Sequence, residues 1–332
     1  MTFFEKILAL RHKKLKFLYY LKGIFCYYFI PDFLFRLFLQ RDLKALQKRP
    51  DTAYIQKRVN YYNKLQFKIP IGPDAIAIKN FRFKGHKTTY FIDTRKYIRY
   101  FNPNFRFNPL FGDITYVPKV PSLVKSRPLV NDNFNSVLLK LNKIRHFIFV
   151  KDRKEFRSKR DMLVWRGNIT DQKEQRVRFF KKYFTHILCD IGYTNKWGKN
   201  LHWAKRKMSI DEQLKYKFVL CLEGVDVATN LKWVMSSNSL AVMPRPRFET
   251  WFMEGTLIPD FHYVLVKDDF SDLEEKIIYY INHLIEAEKI LANAHDFVRQ
   301  FENSKREKII SLLVLQKYFA QTGQWQNSRM KD

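Results

Sequence analysis

The sequence is poor in cysteine, with three in 332 residues. They are widely spaced and form no Cys-x-x-Cys pair, so no disulfide framework is indicated, and reduced thiols are typical of a cytosolic protein. Long apolar runs are also missing. The longest uncharged run near the N-terminus covers nine residues, 23–31, whereas a membrane-spanning helix needs about 20. We therefore expect neither a spanning helix nor a cleaved secretion signal.

Several catalytic motifs are absent from the sequence. It contains no HExxH, GxSxG, GxxxxGK[ST] or GxGxxG, which argues against metalloprotease, α/β-hydrolase, phosphate-loop and dinucleotide-binding classes. No two acids have the spacing Asp-x-Asp, which would let two carboxylates hold a divalent cation on a diphosphate. A diphosphate ligand would then need cationic side chains and helix N-termini. The candidate cations near the predicted strand ends are Arg166, Arg176, Lys232, Arg245 and Arg247.

Acidic residues are scarce relative to basic ones. The 61 lysines and arginines outnumber 32 acids, giving a formal net charge of +29. Such an excess predicts an anionic partner: nucleic acid, an acidic lipid surface or a phosphorylated substrate. No zinc-finger, basic-zipper or RNA-recognition pattern occurs, and the charge is spread along the chain. We expect no nucleic-acid partner, and keep a basic nucleic-acid-binding protein without enzymatic activity as the alternative.

The first fifty residues combine positive charge with aromatic side chains. Eleven lysines or arginines and three acids are interleaved with twelve phenylalanines and tyrosines. This composition suits a helix lying in a lipid headgroup layer. The alternative is an amphipathic helix packed on its own domain with its lysines in water. We predict that residues 1–50 form a membrane-surface segment.

The C-terminal half has the pattern of an α/β domain. A short apolar run at residues 218–222 predicts a buried strand, Glu223-Gly224 ends it, and Asp226 is placed to cap a helix that runs to residue 235. A second strand at 240–243 and a third at 262–266 follow, as do further helices. Strands in such units are parallel, and their carboxyl ends collect functional groups.

The remaining segments predict a first domain and the boundaries. Short apolar or aromatic runs at residues 75–93 and 114–117 predict strands. Residues 131–150 predict a capped helix that runs into a strand. A charged stretch without apolar period begins at residue 151. We predict an acceptor-side domain at residues 51–155, a nucleotide-binding domain at 156–320 and a flexible tail at 321–332.

Three blocks of sequence resemble glycosyltransferase family 90. They are LVWRGNIT, KYKFVLCLEGVDVATNLKWVMSSNSLAVM and ETWFMEGTLIPDFHYVLVKDDFSDLEEKI. The loops VKSRP and NSVLLKLNKIRHF resemble the bacterial, lipopolysaccharide-modifying branch in particular. The resemblance covers roughly residues 111–283, about half the chain, with the blocks in the family's order.

The resemblance implies a fold and an activity. The expected fold is α/β, of the glycosyltransferase B type, with two Rossmann-like domains facing a cleft. The expected reaction inverts the anomeric carbon, needs no metal or other cofactor, and uses a nucleotide-sugar donor, expected to be a UDP-sugar. The implied acceptor is the lipid A–core oligosaccharide of lipopolysaccharide or lipooligosaccharide. An anionic membrane surface is then a partner, and the protein is expected on the cytoplasmic face of the inner membrane.

The resemblance also assigns residues to the donor. Arg166 and Gly167 match the family's aromatic-Arg-Gly turn near the donor phosphates, and Arg176 matches the basic residue that follows. Glu223-Gly224 matches the turn before the donor-binding helix. The remaining candidates are Asn230 and Lys232 in that helix, and Glu249 and Glu254 where sugar hydroxyls could be bonded.

Two positions carry open alternatives. Eukaryotic members have an arginine in the helix where this chain has Asn230, so Lys232 or Arg176 would have to substitute for it. An inverting transferase also needs a carboxylate base, for which Asp113 is the first candidate and Asp132 the second. Lys125 and Arg127, in the same first-domain loop, are predicted to contact the acceptor.

Overall fold

The computed structural model describes residues 3–169, 174–195 and 201–325, without the side chains of residues 3–15, 45 and 47. Two compact units are assembled from separate stretches of chain. The first, here the sheet unit, holds Met1–Leu10, Arg145–Arg247 and Met253–Gln300. The second, here the mixed unit, holds Arg11–Ile144, Phe248–Phe252 and Phe301–Asp332.

The described residues form helices and strands with the following bounds. The helices are α1 (Phe3–Phe29), α2 (Asp32–Gln47), α3 (Thr52–Tyr62), α4 (Thr88–Ile98), α5 (Lys143–His146), α6 (Glu174–Tyr183), α7 (Ile210–Gln213), α8 (Leu231–Met235), α9 (Leu273–Asn282), α10 (Leu284–Arg299) and α11 (Ser304–Gln321). The strands are β1 (Ile76–Ala77), β2 (Arg106–Phe107), β3 (Pro109–Leu110), β4 (Ser122–Val124), β5 (Ser126–Pro128), β6 (Ser136–Leu138), β7 (Arg160–Gly167), β8 (Cys189–Tyr193), β9 (Tyr216–Leu220), β10 (Leu240–Met243), β11 (Phe248–Thr250) and β12 (Val264–Leu265).

Within the described residues, the sheet unit contains a parallel sheet of five strands in the order β12–β10–β9–β7–β8. Numbered from β7 along the chain, this order is 2-1-3-4-5. The chain first steps from β7 to β8 and then crosses back over β7 to continue through β9. Ligands of such open sheets bind outside the carboxyl ends of the strands at this switch point. Because crossovers of this kind are right-handed, α6 and α8 lie on opposite faces of the sheet.

Buried apolar strands explain why the sheet was predictable. Every residue of β9 and β10 is buried, as expected where helices cover both faces of a parallel sheet. The strand predicted at 240–243 is confirmed as β10, and the strand predicted at 218–222 exists as β9 but begins and ends two residues earlier. The strand predicted at 262–266 is confirmed as β12, which is shorter.

Several predicted elements are wrong. The helix expected from Asp226 begins only at Leu231. Residues 88–93, predicted as a strand, instead begin α4, in which residues 90–94 are all buried. The helix predicted at 131–150 is replaced by β6 and α5, since β6 pairs with β4. Residues 114–117 form no strand in the described chain, and the Ile114 amide instead donates to the Ser126 hydroxyl at 3.3 Å.

The mixed unit is built differently from the sheet unit. Its described strands form a short parallel sheet, β3–β4–β6, and two antiparallel pairs, β5–β11 and β1–β2. The α/β class is thus confirmed, whereas a pair of Rossmann-like domains stays a prediction.

Two late segments of the chain complete the core of the mixed unit. The Trp251 indole stacks on the Tyr62 ring, with centroids 3.8 Å apart, and its Nε1 donates to Glu307 at 2.7 Å. Arg58 Nη1 also donates to Glu307, at 2.6 Å, and Asn63 Nδ2 donates to the Val314 carbonyl at 3.0 Å. The structure therefore groups β11 and α11 with α3, whereas the predicted boundaries put residues 156–320 in one domain.

The described end of the chain is packed. Gln324 Nε2 donates to the Arg106 carbonyl at 2.9 Å, and the Trp325 ring packs against Phe101 and Phe105. The first residues of the predicted flexible tail are therefore ordered. The rest of that tail, residues 326–332, lies outside the described residues.

Helices α1 and α2 bury one face and expose another. Hydrogen bonds join their inner side to α4. The Tyr19 hydroxyl donates to Asp93 at 2.9 Å, and Arg99 Nε, just after α4, donates to Asp32 at 2.9 Å. Their outer side exposes large apolar residues, namely Phe17, Leu18, Leu21, Ile24, Phe25, Tyr28, Phe29, Phe33, Leu37 and Phe38. No helix in the described part of the chain has the length and hydropathy needed to cross a bilayer.

Gly167 is the last residue of β7 and lies against an aromatic ring. Substituting this glycine therefore tests the packing of the site. A Cβ at this position would lie 2.5 Å from Cζ2 of the buried Trp165 indole. We expect Gly167→Ala to lower the free energy of unfolding by about 1–3 kcal/mol through overpacking, measured by urea denaturation. Gly224→Ala is the comparison with the smaller expected destabilisation, because its Cβ would lie 3.3 Å from a side-chain atom, Arg176 Nη2. Equal stability of the wild type and Gly167→Ala would contradict the packing described here.

Candidate functional site

A polar cavity of about 270 Å³, here the strand-end pocket, lies at the carboxyl ends of the parallel strands of the sheet unit. Its lining follows one strand after another: the start of α6 follows β7, Glu223-Gly224 follows β9, Arg247 follows β10 and Asp268 follows β12. The residues that line it are Glu174, Gln175, Arg178, Glu223, Gly224, Arg247 and Asp268. The pocket therefore occupies the place that strand order predicts for a ligand.

Arg176 joins the two strand ends at the switch point. Its guanidinium donates to the Asn168 carbonyl after β7 at 2.7 Å, and to the Leu222 and Glu223 carbonyls after β9 at 3.0 Å each. It also lies over the Trp165 ring, 5.2 Å from the centroid. These contacts fix both turns of the predicted donor site against each other.

The charge of Arg176 has no carboxylate partner among the described residues. Burial, with a smaller contribution from the positive charge of Arg145, lowers the pKa of Arg176 to about 10. The side chain remains cationic at neutral pH and is held beside the strand-end pocket. A half-buried cation whose hydrogen bonds go only to carbonyl oxygens is suited to stabilise an anionic ligand.

The pocket itself carries both signs of charge. Glu223 accepts from the Arg247 guanidinium and backbone amide, each at 2.9 Å, while the Arg247 side chain stays 63% exposed. Arg178 is exposed at the lining, and Gln175 Oε1 has no hydrogen-bond partner among the described residues. Arginines can bind phosphate oxygens, and carboxylates and amides can bind sugar hydroxyls.

Arg166 has an internal partner. Its Nη2 donates to Asp190 Oδ1 at 2.7 Å, its Nη1 donates to the Asp190 carbonyl at 2.7 Å, and its Nε donates to the Arg206 carbonyl at 3.1 Å. Asp190 also accepts from the Tyr216 hydroxyl at 2.6 Å and from Lys205 at 3.1 Å. The structure thus places Arg166 in a network across β8, β7 and β9, and donor contact by Arg166 stays a prediction.

This network predicts a pH-dependent contribution to stability. Burial pushes the pKa of Asp190 up, but hydrogen bonds from Tyr216, Arg166 and Lys205 outweigh burial and lower the pKa to about 2. Because the folded pKa is depressed, the stabilisation is full above the unfolded pKa of about 4 and is lost as pH falls towards 2.

We expect Asp190→Asn to cost about 2 kcal/mol of unfolding free energy at neutral pH. The difference in unfolding free energy between the variant and the wild type should become smaller below about pH 4. Urea denaturation at a series of pH values measures this difference. A gap that stays constant down to pH 3 would contradict the role given to the Asp190 carboxylate.

Two residues of the predicted donor helix are turned inward. Asn230 caps α8, and its side-chain amide donates to the Leu220 carbonyl at 2.8 Å. The Lys232 side chain is fully buried and forms an ion pair with Glu254, which is 1% exposed. The predicted donor contacts of Lys232 and Glu254 would require this buried pair to open.

The candidate bases differ in their surroundings. Asp113 pairs with the ammonium of Lys125; the Asp113 side chain is 42% exposed, whereas that of Lys125 is 2% exposed. Asp132 is exposed, and no ion pair to it occurs among the described residues. The Asp113 carboxylate is thus paired with a lysine that was predicted to contact the acceptor, and the choice between the two bases stays open.

Arg127 and Glu249 form a second buried ion pair in the mixed unit. Arg127 Nε donates to Glu249 Oε1 at 2.8 Å, and the Tyr61 hydroxyl donates to the other Glu249 oxygen. Arg127 also donates to the Tyr61 carbonyl at 2.7 Å and to the Ser136 carbonyl at 3.1 Å. Arg127 and Glu249 thus join β5 to β11, and their predicted contacts with acceptor and donor stay predictions.

Five polar residues at or near the pocket were not singled out from the sequence, namely Glu174, Gln175, Arg178, Asp268 and Arg145. Arg178 lies two residues after Arg176 on α6, and Asp268 follows the predicted third strand, so position after a strand was the available signal. Arg145 carries no such signal. Among the described residues, no group of three or more histidine, cysteine or acidic side chains is arranged to hold a metal ion.

Comparisons with known proteins agree on one family. The model of the family described as Glycosyl transferase family 90 matches residues 134–322. The O-glucosyltransferase LpsA of Dichelobacter nodosus is 42% identical over 281 residues, covering 84% of this chain and 87% of that protein. Protein O-glucosyltransferase 2 of Danio rerio is 28% identical over 141 residues, covering 41% of this chain and 28% of that protein. The matched region contains the whole strand-end pocket, and the chain therefore belongs to glycosyltransferase family 90 and is a glycosyltransferase.

Proposed function

We propose that this glycosyltransferase moves one sugar from a UDP-sugar to a hydroxyl of the lipopolysaccharide or lipooligosaccharide core, with inversion and without a metal ion. Glucose is the first candidate for the transferred sugar, because the relative covering most of the chain is named an O-glucosyltransferase. Its name, LpsA, also supports a lipopolysaccharide acceptor. The proposal keeps the glycosyltransferase B fold type, with the sheet unit as the nucleotide-sugar domain.

The observation that carries the proposal is the half-buried guanidinium of Arg176 at the switch point of the sheet, which has no carboxylate partner among the described residues. A departing UDP develops negative charge on its diphosphate, and a pre-placed cation stabilises that charge more than it stabilises the intact donor. Arg178 and Arg247 line the adjacent pocket and supply further donors to phosphate oxygens.

Arg176 is our choice for the substitution left open at Asn230. Lys232 is fully buried against Glu254, whereas Arg176 lies at the same strand end that the Asn230 amide contacts. We infer that Arg176 takes the part of the arginine that eukaryotic members carry at the position of Asn230. In this chain the cation comes from α6 rather than from α8.

The proposed reaction is a single displacement. A carboxylate, Asp113 in the first instance, takes the proton from the acceptor hydroxyl as its oxygen attacks the anomeric carbon. The new glycosidic bond forms while the bond to the UDP oxygen breaks, and the electron pair leaves on the diphosphate. Attack opposite to the leaving group inverts the anomeric configuration.

The acceptor and the charge of the protein fit each other. Lipid A–core oligosaccharide is anionic and embedded in a membrane, and the chain carries a net charge of +29. Each lysine or arginine close to an anionic leaflet contributes roughly 1 kcal/mol of attraction at low salt. We propose that the exposed apolar side of α1 and α2 rests on the cytoplasmic face of the inner membrane.

The test is transfer from radiolabelled UDP-sugars to purified core acceptor, with and without EDTA. We expect UDP-glucose to be used, activity to persist in EDTA, and the product to have the inverted anomeric configuration by NMR. Loss of activity in EDTA with recovery on adding Mg²⁺ would overturn metal independence. A protein that ignores UDP but binds DNA in a salt-sensitive manner would favour the nucleic-acid alternative.

A further inference from the structure

The mixed unit contains a second cavity, remote in sequence from the strand-end pocket. It measures about 360 Å³ and is lined by α1, the start of α2, α4, Lys143 and Lys308. This volume lies in the range of small-molecule sites. We name it the α1–α4 cavity.

Positive charge is concentrated around this cavity. The cations that line it are Lys22, Arg95, Lys96, Arg99, Lys143 and Lys308. The carboxylates paired with them are Asp32, Asp42 and Asp93. Six cations against three carboxylates leave an excess of three positive charges.

Lys22 and Lys96 carry most of that excess. Neither has a carboxylate within ion-pair distance among the described residues, whereas Lys143 pairs with Asp93 at 3.1 Å and Lys308 with Asp42 at 2.5 Å. Burial lowers the pKa of Lys96; Asp93 opposes this shift, and the charges of Lys22 and Lys308 add to it. Lys96 is therefore repelled by both Lys22 and Lys308, and an anion beside it would relieve that repulsion.

The rest of the cavity wall is apolar and aromatic. It is contributed by Tyr27 and Cys26 of α1, Phe35 of α2, and Phe91 and Ile92 of α4. The same helix α1 presents exposed apolar side chains on its outer side. A ligand with a charged head and an apolar tail would match both the lysines and the wall.

We propose that the α1–α4 cavity binds the phosphate headgroup of an anionic membrane phospholipid, with the first part of an acyl chain along its aromatic wall. The inference rests on the membrane-surface part of the proposed function and adds a defined headgroup site to it. The lysine amino groups bind the phosphate oxygens, and the excess charge favours a net anionic lipid over a zwitterionic one. Binding here attaches α1 and α2 to a leaflet in a fixed orientation.

Cys26 provides a direct probe. It is a partly exposed free thiol that lines the cavity, whereas Cys189 and Cys221 are buried. Burial raises the pKa of Cys189 to about 12 and raises that of Cys221 above its usual range, so neither forms the reactive thiolate at neutral pH. Alkylation of the full-length protein by a fluorescent maleimide therefore reports on Cys26.

The experiment measures the alkylation rate against soluble dihexanoyl phosphatidylglycerol, dihexanoyl phosphatidylcholine and inorganic phosphate. We expect saturable protection by phosphatidylglycerol and none by the other two at equal concentration. The double variant Lys22→Gln/Lys96→Gln should bind phosphatidylglycerol at least about tenfold more weakly. Lys289→Gln, an exposed lysine on α10, is the matched control and should bind as the wild type does.

Each other outcome has a defined meaning. Absent protection, or equal protection in Lys22→Gln/Lys96→Gln, overturns the site. Protection by inorganic phosphate equal to that by phosphatidylglycerol overturns the lipid and leaves a phosphate site. Vesicle binding without Cys26 protection leaves membrane attachment standing and removes the cavity from it. If the double glutamine variant does not fold, Lys22→Arg/Lys96→Arg replaces it and must retain protection.

Discussion

Replacing Arg176 with alanine is expected to reduce the turnover rate about a thousandfold, the scale of losing a pre-placed donor to a developing anion. The variant loses the cation beside the leaving diphosphate and the three hydrogen bonds that hold the turns after β7 and β9. UDP affinity should fall as well, because both turns lose their support. The measurements are the initial rate of transfer and the UDP dissociation constant by calorimetry.

Two controls separate chemistry from unfolding. Arg176→Lys keeps the charge but cannot span three carbonyls, so it should retain more activity than alanine. Arg157→Ala removes an exposed arginine of the same unit whose ion pair with Glu288 lies at the surface. Because an exposed ion pair contributes little, this variant should keep the stability and the transfer activity of the wild type. Full activity in a folded Arg176→Ala protein would remove Arg176 from the donor site.

Asp113→Asn is expected to lower the turnover rate about 10²- to 10⁴-fold while UDP binding is retained, because an amide cannot accept the acceptor's proton. The change keeps the size of the side chain and removes the charge that faces Lys125. The measurements are the transfer rate at saturating donor and acceptor, and UDP binding by calorimetry.

Asp132→Asn is the matched comparison for the base. Asp132 lies in the same unit and is exposed, so its amide variant should be stable. If Asp132→Asn loses transfer and Asp113→Asn keeps it, the base is Asp132. If both variants lose UDP binding together with transfer, neither is acting as a base alone.

The sequence predicted best what is fixed by local apolar runs. The runs 218–222 and 240–243 are short and continuously apolar, and they predicted β9 to within two residues and β10 at its observed bounds. The turn Glu223-Gly224 was placed at the site for the same reason, because it interrupts such a run. The start of helix α4 was predicted wrongly because most of its first residues, Thr88–Asp93, are aromatic or β-branched, and such residues favour strands.

The roles of charged side chains could not be predicted as well, since they depend on partners distant in sequence. Arg166 and Arg176 are both arginines near the end of β7, yet one faces Asp190 and the other meets only carbonyls among the described residues. Lys232 is buried against Glu254, 22 residues later. Nothing in the residue pattern distinguishes these arrangements from exposed cations.

The way the mixed unit is closed has a consequence for synthesis on the ribosome. During synthesis, Arg58 cannot form its hydrogen bond with Glu307 until 249 more residues have been added. Tyr62 likewise cannot stack on Trp251 until that residue has been added. The described strands and helices of the sheet unit are all present once residue 300 has emerged, whereas the mixed unit lacks α11 until residue 321 has emerged. Helix α3 is therefore synthesised long before its partners in α11, and apolar surface of the mixed unit stays exposed until α11 emerges.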